Sequence, residues 1–398
     1  MGNHDLGTGK RGGALNFRSF LCGCACWFFL NTAAGDFTLG LYSVHPVRPK
    51  TVRPIAENGV NCLINYVDLL SHPEQAEALL DAAAACRVKA ALQVIRSRRT
   101  LQDPDHLEKL RTAIRKYRRH PGLGMWYLFD EPDAADRDAL LPVYRMLKQE
   151  TPEIPVALCL AWRKNYLVCA DCADILMPDL YPVKDQAFPN APLNHFSHFI
   201  WNTASRKKPV IPVAQIMSYI NYPKYARKAD PDRCREPNAD ELRYFSFSAV
   251  ALGVVGIAYY SYNDLARQNH LPYFRSAVMP VIREVRQFTD AVAGMTFCWH
   301  GKKIGAGSPP RFFCASWQKD GAGFVVLVNN TGKTAGGDFT LAAPLPPGKL
   351  MPWGITRPVR PEKTDSGLRL AELKPWEVLI WTFQPESGPA SPSPTAAE

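Results

Sequence analysis

The stretch Gly124-Met-Trp-Tyr-Leu-Phe-Asp-Glu-Pro132 is an apolar run that stops abruptly at two carboxylates and a proline. A short apolar run of this kind predicts a buried strand. Because proline disfavours the helical region for the residue before it, we expect Glu131 to stay extended at the carboxyl end of that strand. In a barrel of parallel strands, active sites lie at this end. Asp130 and Glu131 are therefore the first candidates for chemistry.

Short apolar runs alternate with helical patterns on both sides of this stretch, which is typical of βαβ units and a parallel sheet. Strands are predicted over residues 37–43, 60–66, 89–95, 124–130, 155–161, 174–179, 210–215 and 254–260. Helices are predicted over residues 74–86, 104–119, 135–150, 194–206, 239–252 and 273–293. Eight strands fit an α/β fold of the (β/α)8 TIM barrel type, which usually takes about 250 residues. A doubly wound open sheet is the alternative, but no Gly-x-Gly-x-x-Gly follows the first strand.

The pattern changes after Gly294, where short alternating runs at 311–317, 323–329, 338–341, 367–370 and 377–383 predict a small antiparallel β-sandwich. From Pro385 onward the chain is rich in Ser, Pro, Ala and Gly, with too little apolar surface to fold. The predicted division is a signal peptide over 1–34, a catalytic barrel over 35–294, a C-terminal β-sandwich over 295–384 and a disordered tail over 385–398.

The first 34 residues have the layout of a secretory signal, with Lys10, Arg11 and Arg18 before a short apolar core and small residues ending at Ala34. The apolar core is shorter than the roughly 20 residues that span a bilayer. We therefore expect an exported protein, secreted or periplasmic, without an integral membrane segment in the mature chain. Leu21-Cys-Gly-Cys24 faintly resembles a lipoprotein box, but the apolar residues mostly follow the cysteines, so lipidation is the weaker reading.

The composition excludes several classes of function. The formal charge of +10 comes from basic residues scattered along the chain, without the dense Lys/Arg run that nucleic-acid binders carry, so nucleic acid is not an expected partner. The histidines do not cluster beyond His195 and His198, and Cys169-Ala-Asp-Cys172 has no second pair nearby, so neither a metal nor an organic cofactor is expected. Eight cysteines follow the signal, an even number that permits disulfides in an exported protein.

If the barrel is right, the residues that end its strands converge on one mouth. They are Tyr42, Asn65, Tyr66, Gln93, Asp130, Glu131, Trp162, Asp179, Tyr181, Gln215, Tyr219, Tyr262 and Asp264. Flat aromatic faces stack on sugar rings, and amides and carboxylates bond to hydroxyls that would cost about 1–3 kcal/mol each if they were buried unpaired. The set predicts a carbohydrate cleft. Its expected substrate-binding residues are Asp130, Tyr42, Asn65, Trp162, Tyr181, Gln215, Tyr262 and Asp264.

Asp130-Glu131-Pro132 after an aromatic strand resembles the Asn-Glu-Pro at the end of the fourth strand in clan A glycoside hydrolases. That resemblance implies that Glu131 is the acid/base catalyst. It also implies a nucleophilic glutamate at the end of the seventh strand, where this chain has Gln215, and an amide cannot be that nucleophile.

Glycosidic cleavage normally needs two carboxyl groups. Asp179, which ends another apolar strand, is the expected second catalyst, and Asp264 is a further candidate, although Asn-Asp at a strand exit is also ordinary turn chemistry. A rival scheme resembles clan D glycosidases, whose catalysts are aspartates ending the fourth and sixth strands, here Asp130 and Asp179. Successive residues of a regular strand point to opposite faces, so Asp130 and Glu131 can share the lumen only if the strand end bulges.

The sequence therefore predicts a glycoside hydrolase that acts on a poly- or oligosaccharide through Glu131 and Asp179. The alternative is a non-catalytic carbohydrate-binding or scaffold barrel, which the missing seventh-strand glutamate favours. Near the eighth strand, Arg235-Glu-Pro-Asn-Ala-Asp-Glu241-Leu-Arg243 resembles a passage of bacterial glycosidase barrels, yet Glu241 and Arg243 are more simply read as a helix-start acid and a surface ion pair.

Overall fold

The computed structural model describes residues 37–226, 229–341 and 349–383. The predicted signal peptide and the predicted tail lie outside the described residues, so export of the protein stays a prediction. Among the described residues, no helix is long and apolar enough to cross a membrane. The eight described cysteines are free thiols, so the disulfides that an exported protein would permit do not form among them.

The first eight strands close into a parallel barrel in sequence order, with β8 pairing back onto β1. They are β1 (Thr38–Tyr42), β2 (Cys62–Asn65), β3 (Lys89–Gln93), β4 (Leu123–Tyr127), β5 (Val156–Ala161), β6 (Ile175–Asp179), β7 (Val213–Gln215) and β8 (Gly256–Tyr260). All eight predicted strands are confirmed, although most of them are shorter than predicted. The (β/α)8 fold class is therefore correct, and the open-sheet alternative is wrong.

Helices surround the barrel. They are α1 (Pro49–Glu57), α2 (Pro73–Ala85), α3 (Arg98–Gln102), α4 (His106–Tyr117), α5 (Arg137–Glu150), α6 (Asn194–Ala204), α7 (Pro223–Ala226), α8 (Ala239–Ala251), α9 (Tyr262–Arg267), α10 (Leu271–Tyr273) and α11 (Met279–Ala291). A π-helical turn (Phe274–Val278) joins α10 to α11. The sequence pattern missed α1 because it contains Pro49 and Pro54, which read as breakers, although the first turn of a helix tolerates proline.

Two apolar cores hold the barrel together. The larger one lies between the strands and the surrounding helices. The smaller one fills the lumen with alternate strand residues, namely Tyr42, Cys62, Ile64, Ala91, Met125, Tyr127, Ala157, Cys159, Met177, Ile211, Val213 and Ala258. The lumen is thus a packed core, and only the layer above it at the carboxyl ends of the strands is open to a ligand.

The C-terminal region consists of two antiparallel sheets, as predicted. A five-stranded sheet contains β9 (Thr296–Trp299), β10 (Phe312–Lys319), β11 (Ala322–Asn329), β13 (Leu350–Pro352) and β16 (Val378–Phe383), and a three-stranded sheet contains β12 (Ala335–Thr340), β14 (Glu362–Thr364) and β15 (Gly367–Leu373). Side chains of both sheets form one apolar core, in which Trp381 and Phe383 meet Leu368 and Leu370. The three strands that the sequence did not predict, β9, β13 and β14, are only three or four residues long.

A buried ion pair joins the two regions. The Arg243 guanidinium on α8 contacts the Glu284 carboxylate on α11 at 2.9 Å, with side chains only 10% and 4% exposed. Arg243 also donates to the Val378 carbonyl of β16 at 2.6 Å. The interpretation of Arg243 as part of a surface ion pair is wrong. Glu241 does start the helix, since its carboxylate accepts from the Asn238 amide in a capping box.

Candidate active site

A cavity of about 680 Å³ opens at the carboxyl ends of the strands. It is lined by Tyr66, Asp130, Glu131, Ala161, Trp162, Arg163, Asp179, Leu180, Tyr181, Pro182, Lys184, Gln186, Pro192, His195, Met217, Tyr219, Tyr222, Ala229 and Tyr260. Its wall is contributed mainly by the ends of β4, β5, β6 and β8 and by the loops after β6 and β7. Three carboxyl groups and several aromatic rings therefore share one concave space at the barrel mouth.

Asp130 and Glu131 both face this cavity because the strand ends early. The ladder of β4 stops at Tyr127, three residues before Asp130. Glu131 then adopts a left-handed backbone with φ of 52°, so the expectation that it stays extended is wrong. Proline disfavours the right-handed helical region for Glu131, and the chain avoids that region here through a left-handed turn instead of an extended residue. This turn brings two successive side chains to one side, as a regular strand could not.

Asp130 lies deep in the cavity among tyrosines. The Tyr127 hydroxyl donates to Asp130 Oδ1 at 2.5 Å, and the Tyr42 hydroxyl donates in turn to Tyr127 at 3.2 Å. Burial raises the pKa of the Asp130 carboxyl, and the hydrogen bond from Tyr127 opposes that rise. The orientation of the Asp130 carboxyl is therefore fixed by Tyr127, whose hydroxyl is in turn held by a hydrogen bond from Tyr42.

Glu131 lies nearer the entrance and carries a cationic partner. The Arg163 guanidinium, just beyond β5, approaches Glu131 Oε2 at 2.8 Å and Asp133 Oδ1 at 3.1 Å. Burial and the negative charge of Asp130 raise the pKa of Glu131, while the positive charge of Arg163 lowers it. Its side chain remains 34% exposed. The Glu131 carboxylate is thus paired with a cation at the entrance, while burial keeps its pKa above the ordinary value.

Asp179 ends β6 and has the opposite environment. Its Oδ1 is shielded from solvent, its Oδ2 accepts from the Cys159 thiol at 3.7 Å, and the Tyr181 hydroxyl opposes the rise of its pKa through a hydrogen bond. Burial, and after it the negative charge of Glu131, raises the pKa of the Asp179 carboxyl well above its ordinary value. A proton shared among the cavity carboxyls therefore resides most favourably on Asp179.

Aromatic side chains form the walls. Trp162 is 49% exposed and stacks on Tyr166 with ring centres 5.7 Å apart, while Phe199 supports both rings edge-on. Tyr181 stacks on Tyr260 at 5.3 Å. Such exposed, rigid aromatic faces suit the apolar faces of sugar rings.

The remaining predicted binding residues do not line the cavity. Gln215 is buried, and its amide is bonded to the backbone of Val183 and Met217, so it braces the loop after β6. Asn65 donates to the Val44 carbonyl at 2.8 Å, and Tyr42 is a buried residue of the lumen.

Tyr262 and Asp264 lie in the first turn of α9, beyond the mouth. Tyr262 packs edge-on against Phe274 and is not part of the cavity wall. The prediction that these side chains touch substrate assumed that all strand ends face one point, whereas the cavity lies toward β4–β8 and the chain after β8 turns away from it.

Sequence reasoning missed Tyr260, Arg163 and Cys159. Tyr260 is two residues after Ala258, which points into the lumen, so the period of two along β8 identifies it. Arg163 directly follows Trp162, and no pattern in the sequence distinguishes it from the many other arginines of the chain. Cys159 is an interior residue of β5 whose contact with Asp179 depends on strand register.

Among the described residues, no group of three or more His, Cys, Asp or Glu side chains could hold a metal ion. The titratable side chains that line the cavity are three carboxyls, five phenols, Arg163, Lys184 and His195.

No protein-family profile matches this chain, and no curated relative matches it. Solved structures do match. A glycoside hydrolase family 5 protein from Bacteroides vulgatus aligns with a TM-score of 0.61 at 10% identity, covering 89% of this chain and 90% of that one. The chain has the fold of glycoside hydrolase barrels.

A second protein described as a glycoside hydrolase aligns with a TM-score of 0.60 at 11% identity, over 90% of this chain and 95% of that one. An α-amylase from Geobacillus thermoleovorans, in complex with acarbose, aligns with a TM-score of 0.56 at 10% identity, over 88% and 99%. The likeness thus extends over most of the chain, and at these identities it shows the fold alone.

Proposed function

We propose that this chain is a glycoside hydrolase that cleaves an O-glycosidic bond of a poly- or oligosaccharide through Glu131 and Asp179. The observation that carries the proposal is the placing of these two carboxyls in one aromatic-walled cavity, with Glu131 beside the Arg163 guanidinium and Asp179 fully buried. Two carboxyls in unlike environments are what acid-assisted glycoside cleavage requires. The solved structures with the same fold are described as glycoside hydrolases, which supports the proposal.

The environments favour roles opposite to those that the clan A resemblance implies. Asp179 holds a proton because its burial disfavours the charged form, so it is the proposed acid that protonates the leaving oxygen as the bond from C1 to that oxygen breaks. Glu131, whose carboxylate pairs with the Arg163 guanidinium, is the proposed carboxylate that activates water or attacks C1. The proton of Asp179 leaves with the aglycone. If Glu131 attacks C1, water then hydrolyses the glycosyl ester and its proton returns to Asp179. If Glu131 instead activates the water, Glu131 takes that proton, and exchange with solvent restores both carboxyls.

The proposal is tested by measuring hydrolysis of a broad glycan and aryl-glycoside panel by wild type and Glu131→Gln. We expect wild type to cleave at least one substrate and Glu131→Gln to lose at least about 10³-fold in kcat/KM on it, because the amide can neither attack nor take a proton. The matched control is Asp133→Asn, which also loses an Arg163 contact but lies outside the cavity wall. Equal losses in both variants would mean that Glu131 acts only by holding Arg163.

A non-catalytic carbohydrate-binding barrel is the second candidate. Gln215 favours it, because the residue at the end of β7 is an amide committed to backbone hydrogen bonds and cannot react. Glycan binding by wild type without turnover of any substrate in the panel would select this function.

Truncating Trp162 to alanine should weaken glycan binding by roughly 2- to 12-fold, because a stacking aromatic contributes about 0.5–1.5 kcal/mol. Its half-exposed position predicts only a small change in melting temperature. Calorimetric titration and thermal unfolding measure the two effects. Ile355→Ala is the control, since Ile355 is 62% exposed but lies in the C-terminal region. A large loss of stability with unaltered binding would show that Trp162 serves only the core.

A further inference from the structure

A chain of hydrogen bonds leads from the cavity wall into the rim of the barrel. The hydroxyl oxygens of Tyr260 and Tyr222 lie 3.1 Å apart, and the Tyr222 hydroxyl lies 2.8 Å from Asp264 Oδ2. Tyr260 and Tyr222 line the cavity, whereas Asp264 lies behind them. Asp264 is thus the buried end of a chain whose other end faces the ligand space.

Asp264 is the terminal acceptor of this chain. The amide of Asn221 approaches its Oδ1 at 3.4 Å, and the hydroxyls of Tyr222 and Ser261 donate to its Oδ2. Ser261 Oγ itself accepts from the Asp264 backbone amide at 3.3 Å, so its single proton is available for the carboxylate. Carboxylate oxygens accept hydrogen bonds, and three side-chain donors surround those of Asp264.

Counting protons fixes the direction of every bond in the chain. A phenol has one proton, and the proton of Tyr222 is spent on Asp264. The contact between Tyr222 and Tyr260 therefore requires Tyr260 to donate. Tyr260 then has no proton left, and its oxygen can offer only lone pairs to a molecule in the cavity.

The neighbouring phenol is directed at a different carboxyl. Tyr181 stacks on Tyr260 with an angle of 19° between the rings, and its hydroxyl is shielded from solvent beside Asp179, whose pKa it lowers. The wall at the end of β8 thus presents to the cavity the lone pairs of Tyr260.

We propose that Asp264 is a specificity-determining positioning residue, which through Tyr222 makes Tyr260 an obligatory hydrogen-bond acceptor. The substrate group that meets Tyr260 must then carry a proton, as a free sugar hydroxyl or an amide N–H does. A methyl ether or fluorine at that place is rejected, because two acceptors would face each other. This inference rests on the proposed function, since it assumes a glycan in the cavity.

The test compares binding of methyl glycosides with their monodeoxyfluoro counterparts by calorimetry and ligand-observed fluorine NMR, neither of which needs turnover. For the position that meets Tyr260, we expect wild type to bind the hydroxyl compound about 10- to 100-fold more tightly, the usual consequence of an unpaired buried polar group. Asp264→Ala and Tyr222→Phe should each reduce this ratio to within about 3-fold, because either change frees the Tyr260 proton. Tyr262→Phe removes a phenol outside the chain and the cavity, and should retain the wild-type ratio.

Retention of the wild-type ratio in both Asp264→Ala and Tyr222→Phe would overturn the inference, as would equal binding of every hydroxyl and fluoro pair by wild type. Neutron diffraction from deuterium-exchanged wild-type crystals gives an independent answer, with the Tyr260 deuteron expected to point at Tyr222 and the Tyr222 deuteron at Asp264. The reverse orientation would refute it. Selective binding without hydrolysis would remove the proposed function and leave this inference standing.

Discussion

Asp179→Asn will lose about 10²–10⁴-fold in kcat on glycosides with poor leaving groups and retain much of its turnover on activated aryl glycosides. The reason is that the proposed acid supplies a proton that only a basic leaving oxygen needs, and general acid catalysis has this magnitude. Steady-state kinetics on alkyl and dinitrophenyl glycosides of the same sugar measure the difference. Glu131→Gln should fail on both substrates. If Asp179→Asn fails on both while Glu131→Gln spares the activated one, the roles are those that the clan A resemblance implies.

The same substitution should stabilise the protein at neutral pH. Because the pKa of Asp179 is raised in the folded state, the folded protein binds the proton more strongly than the unfolded chain does. The contribution of Asp179 to stability is therefore most favourable below the ordinary pKa of aspartate, near 3.9, and falls as pH rises from there toward the raised value. Asparagine removes this pH-dependent loss. Thermal unfolding should show Asp179→Asn to be more stable at pH 7 by about 1–3 kcal/mol, with the advantage vanishing near pH 4.

Arg243→Met will destabilise the folded protein by about 3–5 kcal/mol, because it leaves the Glu284 carboxylate buried without its cation. Glu284 is held further by the Ile355 amide at 3.2 Å, so the same change loosens the contact between the barrel and the C-terminal sheets. Guanidinium unfolding followed by tryptophan fluorescence measures the loss.

Two controls separate this burial effect from the loss of a charge. Arg369→Met breaks a surface pair with Asp338, whose side chains are 53% and 60% exposed, and should change stability little. The double variant Arg243→Met/Glu284→Leu should recover most of the loss, because it removes both buried charges. If Arg243→Met is no worse than Arg369→Met, the buried pair does not join the two regions.

The barrel could be predicted because the sequence patterns that indicate its strands and helices each lie within a short segment of the chain. Runs such as 124–130 and 174–179 are apolar, short and separated by helical patterns, and no other common fold accommodates eight such repeats so simply. The elements that the sequence did not predict also have local causes. Helix α1 contains Pro49 and Pro54, which are typical of loops, and strands of three or four residues, such as β14, are too short to show a period of two.

The site was predicted in part, for a reason visible in its residues. Asp130, Glu131, Trp162, Asp179 and Tyr181 were found because each follows an apolar strand, and all of them line the cavity. Gln215 was found by the same rule, yet its amide bonds to Val183, which is 32 residues away in the chain. The position of a residue at a strand end predicts where on the barrel it lies. It does not predict whether the side chain forms hydrogen bonds to a neighbouring loop instead of facing the cavity.

The sequence by itself determined the eight-stranded barrel, the antiparallel sheets after it and the carboxylates at its mouth. Apolar runs and the residues that end them are short contiguous segments, so they can be recognised without knowing the tertiary structure. Only the tertiary structure decided that Glu131 turns left-handed to join Asp130, that Arg163 faces Glu131 while Asp179 is buried, and that Asp264 lies behind Tyr222 instead of in the cavity. Protonation states and hydrogen-bond directions depend on distances between residues far apart in the chain. Those distances arise only when the barrel closes.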